Sequence, residues 1–521
     1  MTERITHKTR FLQYRDDGTI VKSRRYAYWT LPQLMAEVFS GVGMTTSQIS
    51  RDFQEIGALL VNNLSAKLAA LLFPSNRPFF KVDLSAQMLA HAAEKGKPTA
   101  VVNAGLARME MEASQRLFLN ASYNQLVMAL KHLMVTGNVL IHRDKQLKRT
   151  TCYGLQSFST RRDGRGQLVD LIVKESTSFV ALSRELQAAV RSRNPVRYSD
   201  TTKFDISIEL YTRVVRETLK NGNVVYKESQ EVEGIEVGTP ATHPEHLCPW
   251  TAPTWSIVAG EHYGRGLVED FAGGFAKLSD ASEALALYGI SAMKFVNLVA
   301  PGQGANIDEL QAAETGEYVQ GSKDTISVHE TGDANKIVAM RAEIEAVFGN
   351  LARAFMYKGN TRQAERVTAF ELQQDATEAN TVLGGTYSSL AESVQVPLAH
   401  VLLTEVEPGT LQGIISGDMK LNLMAGIPAL GRAADVQNII AAARDASAIA
   451  GVLGQIDRRI DMAKLMDVIY AGASVDTSVF FLSEAEIQKL DAAKNQEQAG
   501  IEQIEQTQDL ASQQAALQAL G

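Results

Sequence analysis

Apolar positions between residues 331 and 403 recur at helical spacing. Ile337, Met340, Ile344, Val347, Phe348, Leu351 and Phe355 alternate with Arg341, Glu343, Glu345, Asn350 and Arg353, the pattern of an amphipathic helix. It predicts a helix of about 25 residues, roughly 38 Å long at about 1.5 Å per residue. The expected stop is Lys358-Gly359-Asn360, since Gly and Asn favour the backbone that closes a helix. A polar loop with two arginines follows, from Gly359 to Arg366. Thr368 and Glu371 then form a capping-box signal. It opens a second helix through Phe370, Leu372, Ala376 and Ala379 towards Val382, with a continuation past Gly384-Gly385 left open.

The first 30 residues are polar and basic (Lys8, Arg10, Arg15, Lys22, Arg24, Arg25), with Asp16-Asp17-Gly18 as a turn. They read as an N-terminal arm, with a frayed terminus as the alternative. From Thr46 to Leu72 a helix is expected, capped by Thr46 or Ser47. Its stripe is Phe53, Ile56, Leu60, Leu64, Leu68 and Leu71, with Gly57, Ala58 and Ala66 allowing close approach; Phe73-Pro74 ends it. Helices are expected at about Ala104–Leu119 and at Tyr123–Val135, the latter stopping at Gly137. A strand follows at Asn138–His142.

From Cys152 to Val237 the period becomes alternating. Asp163-Gly164 joins Phe158–Arg161 to Leu168–Val173, and Asn221-Gly222 joins Asp205–Val215 to Val224–Lys227, as hairpins. A short helix fits Ser183–Arg191. Helical pattern returns over Gly264–Val296, with Phe271, Phe275, Leu278, Leu285, Ile290 and Met293. A compact insertion occupies Val296–His329, with a turn at Pro301-Gly302, a short helix at Ile307–Ala313 and strands at Tyr318–Gln320 and Thr325–Val328. Leu430–Ala471 reads as short helices broken near Gly451–Gly454. The Gln/Ala/Glu-rich stretch from Ser483 reads as helix, or as a partly disordered tail.

Composition narrows the function. At 521 residues the chain suggests several domains or subdomains. Two cysteines, Cys152 and Cys248, supply no disulfide framework, which makes a reducing compartment the default. No apolar run reaches membrane-span length, and the N-terminus is too polar for a signal peptide. A net charge of −8 argues against a sequence-specific DNA binder. It is compatible with a protein that lets DNA pass, because a strongly cationic tunnel would retain a polyanion by counterion release.

Catalytic signatures are missing. Lys95-Gly96-Lys97-Pro98 lacks the upstream Gly and the Ser/Thr of a phosphate loop. There is no Gly-x-Ser-x-Gly elbow and no His-Glu-x-x-His. His243, His246 and Cys248 are the best metal candidates, but no second cluster completes a tetrahedral set; no metal and no cofactor are expected. Asp270, Asp280, Glu283, Glu343 and Glu345 fit a solvated or channel-facing surface better than acid/base catalysis. Nothing in the chain requires an enzyme. On residue types alone, Glu365 and Arg366 could simply make salt bridges or cap the neighbouring helix.

One set of motifs is more specific. Arg362-Gln-Ala-Glu-Arg-Val-Thr-Ala-Phe-Glu-Leu, Leu383-Gly-Gly-Thr-Tyr and Gln395-Val-Pro-Leu resemble the head-to-tail connector (portal) proteins of short-tailed, autographivirus-type bacteriophages. So do Asn62-Asn-Leu-Ser-Ala-Lys-Leu, Leu72-Phe-Pro, Val135-Thr-Gly-Asn-Val-Leu, Cys248-Pro and Tyr263-Gly-Arg.

The resemblance implies an α+β portal-type fold. Its expected parts are an N-terminal arm (1–30), a wing of helices and antiparallel sheet (31–263), a first stem helix (264–295) and a small α/β clip (296–329). A second stem helix (330–358), a channel loop (359–367), a wing helix and return (368–429), a helical crown (430–482) and a C-terminal helical barrel or tail (483–521) complete it. It implies a ring of about twelve identical subunits closed by heterologous interfaces, at the portal vertex of the virion and assembled in the bacterial host cytoplasm. Double-stranded DNA would pass without sequence-specific contact during packaging and ejection. Lys358, Arg362 and Arg366 would approach its phosphates as a charged ring in an otherwise acidic tube. Ile307, Asp308, Glu309, Tyr318, Lys323 and Asp324 would form the clip surface that docks the terminase large subunit and then tail adaptors. Capsid, scaffold and internal core proteins would meet the wing and crown. The alternatives are a non-enzymatic scaffolding oligomer of another kind and, further off, a nucleic-acid enzyme.

Overall fold

The computed structural model describes residues 5–36, 52–75, 78–85, 87–88, 99–198, 207–292, 295–299, 308, 312, 326–330, 334–357, 359, 385–409, 413 and 419–423. The chain divides into two compact units, Met1–Ala429 and Leu430–Gly521, and every described residue belongs to the first. The helices expected at Leu430–Ala471 and beyond Ser483, and the Lys95–Pro98 stretch, lie outside the described residues.

The basic N-terminal segment folds as two helices, α1 (His7–Tyr14) and α2 (Asp17–Trp29). Asp16 caps α2, its side chain accepting from the Gly18 and Thr19 amides; the Thr19 hydroxyl bond, with these amides, holds its carboxyl below the usual range. Phe11 of α1 is buried on Tyr211 in an edge-on ring contact (5.7 Å) and beside Ile172.

Helix α3 spans Ile56–Leu72. It begins ten residues later than the pattern from Thr46 suggested, and Phe53 is an exposed loop residue rather than part of the stripe. Leu60, Val61, Leu64, Leu68, Ala69 and Leu72 have no exposure at all. Burial at about 1.5–3 kcal/mol per large side chain outweighs the ~1 kcal/mol handicap of a helical glycine. That glycine, Gly57, is there for contact: a methyl in its place would sit 2.0 Å from the Trp29 carbonyl oxygen.

The short strand β1 (Phe80–Leu84) is followed by helix α4 (Thr99–Gln115) and helix α5 (Ser122–Thr136). Gly137 ends α5 with φ +74°. Strands β2 (Leu140–Asp144) and β3 (Arg149–Tyr153) form an antiparallel pair. Next come β4 (Phe158–Arg162), β5 (Leu168–Ser178), helix α6 (Arg184–Arg193), β6 (Ser207–Thr218), β7 (Val224–Val232) and β8 (Ile235–Pro244). These five strands make an antiparallel meander in the order β4-β5-β6-β7-β8. The Asn221-Gly222 turn joins β6 to β7 as the sequence indicated. Strand β8 was not anticipated; Glu233 (φ +48°) and Gly234 (φ +75°) turn the chain into it. Beneath α6, Phe179, Val190, Tyr198, Ile208 and Val232 form a closed cluster. Strand β9 (Trp250–Thr251) adds to β2.

The chain then crosses a glycine junction before its two long helices. A Cβ at Gly137 would lie 2.4–2.6 Å from the backbone of Gly264, Arg265 and Gly266. Asn138 bridges both sides, donating to the Gly264 carbonyl (2.8 Å) and accepting from the Gly264 amide (2.7 Å). Tyr263 accepts from the Thr160 amide and donates to the Tyr14 carbonyl, locking the N-terminal helices to β4.

Three helices follow: α7 (Leu267–Asp270), α8 (Ala272–Ala292) and, beyond the insertion, α9 (Ala334–Ala354), which fall where the stem was expected. Strands β10 (Phe295–Val299) and β11 (Ile326–Glu330) pair antiparallel between them, so Val296 lies in a strand rather than in the helix expected over Gly264–Val296. Asp308 and Ala312 are helical within the insertion; the rest of it, including Tyr318–Gln320, lies outside the described residues. Helix α9 leads to α10 (Thr386–Leu390), a π turn (Ala391–Gln395), α11 (Val396–Val406) and β12 (Met419–Leu423), which pairs with β1. Gly385 has φ +88°, so no continuous helix runs through it.

Candidate functional site

Helices α8 and α9 are each about 32 Å long at 1.5 Å per residue. They pack through one aromatic end. Phe275 meets Phe355 edge-on (5.6 Å), Phe271 flanks them (6.1 Å), and Leu351 fills the space beside Gly274. Lys277 and Glu343 pair across the helices. Towards the β10–β11 end the apolar positions change role: Leu287, Ile290 and Val338 are 53%, 61% and 66% exposed. The charged residues are balanced. Helix α8 carries Lys277 against Asp280 and Glu283; α9 carries Lys336, Arg341 and Arg353 against Glu343 and Glu345. These helices are therefore neutral as a pair, and an acidic tube would have to draw its charge from elsewhere.

Helix α9 does not reach Lys358. Phe355 turns into the aromatic cluster, and Met356, 2% exposed, takes φ +53°. The Tyr357 amide donates to the Ala352 carbonyl (2.7 Å) and the Met356 amide to Arg353 (3.2 Å). That bond pair closes a helix over a left-handed residue, a place usually held by glycine. Gly359, the expected stop, is also left-handed (φ +72°), but the chain has already left the helix.

Lys358, Arg362 and Arg366 lie outside the described residues, as does the capping pair Thr368 and Glu371. Of the expected clip residues, Asp308 is described and exposed; Ile307, Glu309, Tyr318, Lys323 and Asp324 lie outside. The structure does define the two feet of segment 358–384: the close of α9 at residues 355–357 before it, and the run from α10 through the π turn (386–395) after it. At the near foot, Lys67 of α3 donates to the Met356 carbonyl (2.7 Å). At the far foot, Gln395 is fully buried in the π turn and donates through Nε2 to the carbonyl of Leu72, at the end of α3. Pro397 follows that turn. It has no amide hydrogen to bond the preceding turn and its ring crowds the carbonyl there, so the helix widens by a residue.

The metal candidates have ordinary partners. His243 Nε2 and Trp250 Nε1 share Glu228 Oε2 (3.1 and 2.9 Å), and His142 stacks on Trp250 at 3.8 Å. Burial would raise the Glu228 carboxyl, but the His243 and Trp250 hydrogen bonds outweigh it and hold it low. His246 lies edge-on to His400 (5.5 Å). No group of three or more His, Cys, Asp or Glu side chains among the described residues is arranged to hold a metal. No helix among them is long and apolar enough to cross a membrane.

Lys67, Gln395 and Met356 were not legible as site residues. Pro397, sitting inside an apolar helical run, is a signal that could have pointed to an irregular turn.

Residues 14–480 match the family model described as bacteriophage head to tail connecting protein. The chain belongs to that family. As a member it is a phage head-to-tail connector. It is 41% identical over 493 residues to the portal protein of Pseudomonas phage phiKMV, covering 94% of each chain. The portal protein of Escherichia phage T7 is 27% identical over 475 residues, covering 90% of this chain and 86% of that one. Among solved structures, the neck of an empty gene transfer agent particle overlaps with a TM-score of 0.39 at 12% identity, covering 81% of this chain and 91% of that one.

Proposed function

We propose that this connector works as a closed ring of about twelve copies at one capsid vertex, with heterologous faces meeting around the ring. Helices α8 and α9 form the stem around a central channel that DNA crosses in both directions. The family match along 14–480 carries this reading. The apolar positions Leu287, Ile290 and Val338, exposed in a single chain, support it, because a neighbouring copy would cover them.

In this reading residues 296–329 are the clip, docking the terminase large subunit and later tail adaptors through Ile307, Asp308, Glu309, Tyr318, Lys323 and Asp324. Residues 31–263 and 368–429 make the wing, 430–482 the crown, and 483–521 a barrel or tail. Capsid, scaffold and core proteins meet the wing and crown. Segment 359–367 lines the channel, and Lys358, Arg362 and Arg366 present a ring of phosphate contacts that grips DNA without reading bases.

Electron microscopy of the purified chain tests the ring: an axial hole of about 20 Å or more is expected, the width a B-form duplex needs. Uniform monomers, with and without scaffold protein, would overturn it. The arginines are tested by Arg362→Ala with Arg366→Ala. Particles should form but lose packaged DNA; normal packaging and retention would remove their role.

A further inference from the structure

We infer that α3 braces both feet of segment 358–384, with Lys67 and Gln395 as the positioning residues. Its importance for DNA rests on reading that segment as the channel loop. The brace itself rests on described contacts alone.

Helix α3 is suited to be a fixed reference. Seven of its side chains are completely buried, and Gly57 lets it sit directly against the Trp29 carbonyl. Its C-terminal end carries two tethers. Lys67 reaches the carbonyl of Met356, the left-handed residue that closes α9. Five residues on, about 7.5 Å along the axis, the Leu72 carbonyl receives the amide of Gln395. A helix leaves its last carbonyls without internal partners, and this one is satisfied by a side chain from the far foot. Both feet therefore end on one rigid rod, at positions fixed by the helix repeat.

The far tether comes at a local cost. Gln395 is inside a π turn, its Oε1 is buried with no hydrogen-bond partner among the described residues, and so is the Ser393 hydroxyl. Buried polar atoms are nearly always satisfied unless something else is gained. Here the widened turn carries Gln395 to Leu72. Fixing the two ends of a long segment removes much of the freedom its residues would otherwise have.

The test compares hydrogen–deuterium exchange in full-length Lys67→Met, Lys67→Arg and Gln395→Met with the parent, alongside DNA retention by particles carrying each. Lys67→Met keeps the aliphatic stem but removes the donor. Exchange in peptides covering 357–384 should rise about tenfold, as expected for loss of a charge-assisted bond at a locally opening site. The five-stranded sheet should be unchanged, and Lys67→Arg should restore protection. Gln395→Met should act on the same peptides. Unchanged exchange at 357–384 overturns the brace, as does a uniform rise that includes the sheet. If exchange rises at 357–384 but particles retain DNA normally, the brace stands and the channel-loop reading falls. If Arg362→Ala with Arg366→Ala loses DNA while Lys67→Met leaves exchange untouched, the reverse holds.

Discussion

The guanidinium of Arg143 holds the carboxylate of Glu405 through two parallel hydrogen bonds of 2.9 Å, with both side chains almost fully buried. Arg143 also donates to Ser122 and Thr150. The pair joins β2 to α11, residues 262 apart. Breaking such a pair from one side strands a buried charge, which costs about 3–5 kcal/mol. Glu405→Ala should therefore unfold at clearly lower denaturant concentration than the parent. Arg143→Met with Glu405→Leu should recover part of that loss, since replacing both charges with apolar groups is often near neutral; Arg116, 4.0 Å from Glu405, loses that contact but keeps Glu112. Equal destabilisation in the single and double variants would show that the pair is not the cause.

Helices α8 and α9 offer a separate test of assembly. Ile290 and Val338 are exposed in one chain, so a carboxylate there should leave the monomer's unfolding within about 0.5 kcal/mol of the parent. In a ring the same carboxylate would be buried against a neighbour without a partner, which proteins tolerate poorly. Ile290→Asp and Val338→Asp should abolish rings, seen by mass photometry, at concentrations where the parent assembles. Intact rings in both would place the subunit interface elsewhere.

Both thiols should be silent in the native protein. Burial pushes the Cys152 and Cys248 thiols up to about 12, and the thiolate is the reactive species. A colorimetric disulfide reagent at pH 8 should label neither residue until denaturant is added, and then both. Cys152 is only half-buried, so its rapid labelling in the folded chain would mean that its thiol is accessible and ionises more readily than burial allows.

Much of this fold could be read from residue order, because its strongest signals are local. Asn221-Gly222 and Asp163-Gly164 gave their hairpins, and Gly137 gave the end of α5. The errors arise where distant contacts override local preference. Gly359-Asn360 looked like the stop of α9, but burial of Phe355 and Met356 ends the helix sooner, with a methionine in a glycine's conformation. Strand β8 was missed because Glu233-Gly234 is not one of the dipeptides that usually announce a tight hairpin. The tethers on α3 were invisible for a different reason. Lys67 and Gln395 are ordinary helix residues, and their partners are backbone carbonyls 289 and 323 residues away. The arginines of segment 359–366 were singled out by family resemblance, not by any pattern in the residues themselves.

Acid should weaken the fold in two separable windows. His132 is buried in α5, its Nδ1 has no partner among the described residues, and burial lowers its pKa to about 4. His400 is lowered to about 4 as well, by burial and then by repulsion from His246. An unfolded histidine takes up its proton near pH 6.5, so between pH 6.5 and about 4 the unfolded chain holds more protons than the native one. Stability therefore falls on acidification through this window, by up to about 1.4 kcal/mol per pH unit for each histidine. Glu209 acts lower down. Burial would raise its carboxyl, but hydrogen bonds from Lys174, Lys8 and Tyr211 outweigh that and hold it at about 2. Its contribution is complete above about pH 4.5 and is lost as pH falls towards 2, in smaller amount because the group is partly solvated. Urea unfolding from pH 8 to 3 should resolve both. His132→Leu should flatten the upper window by about one proton's worth and leave the lower slope alone, whereas Glu209→Gln should do the opposite. A His132→Leu curve parallel to the parent from pH 6.5 to 4 would mean that His132 is already protonated, or solvated, in the native protein.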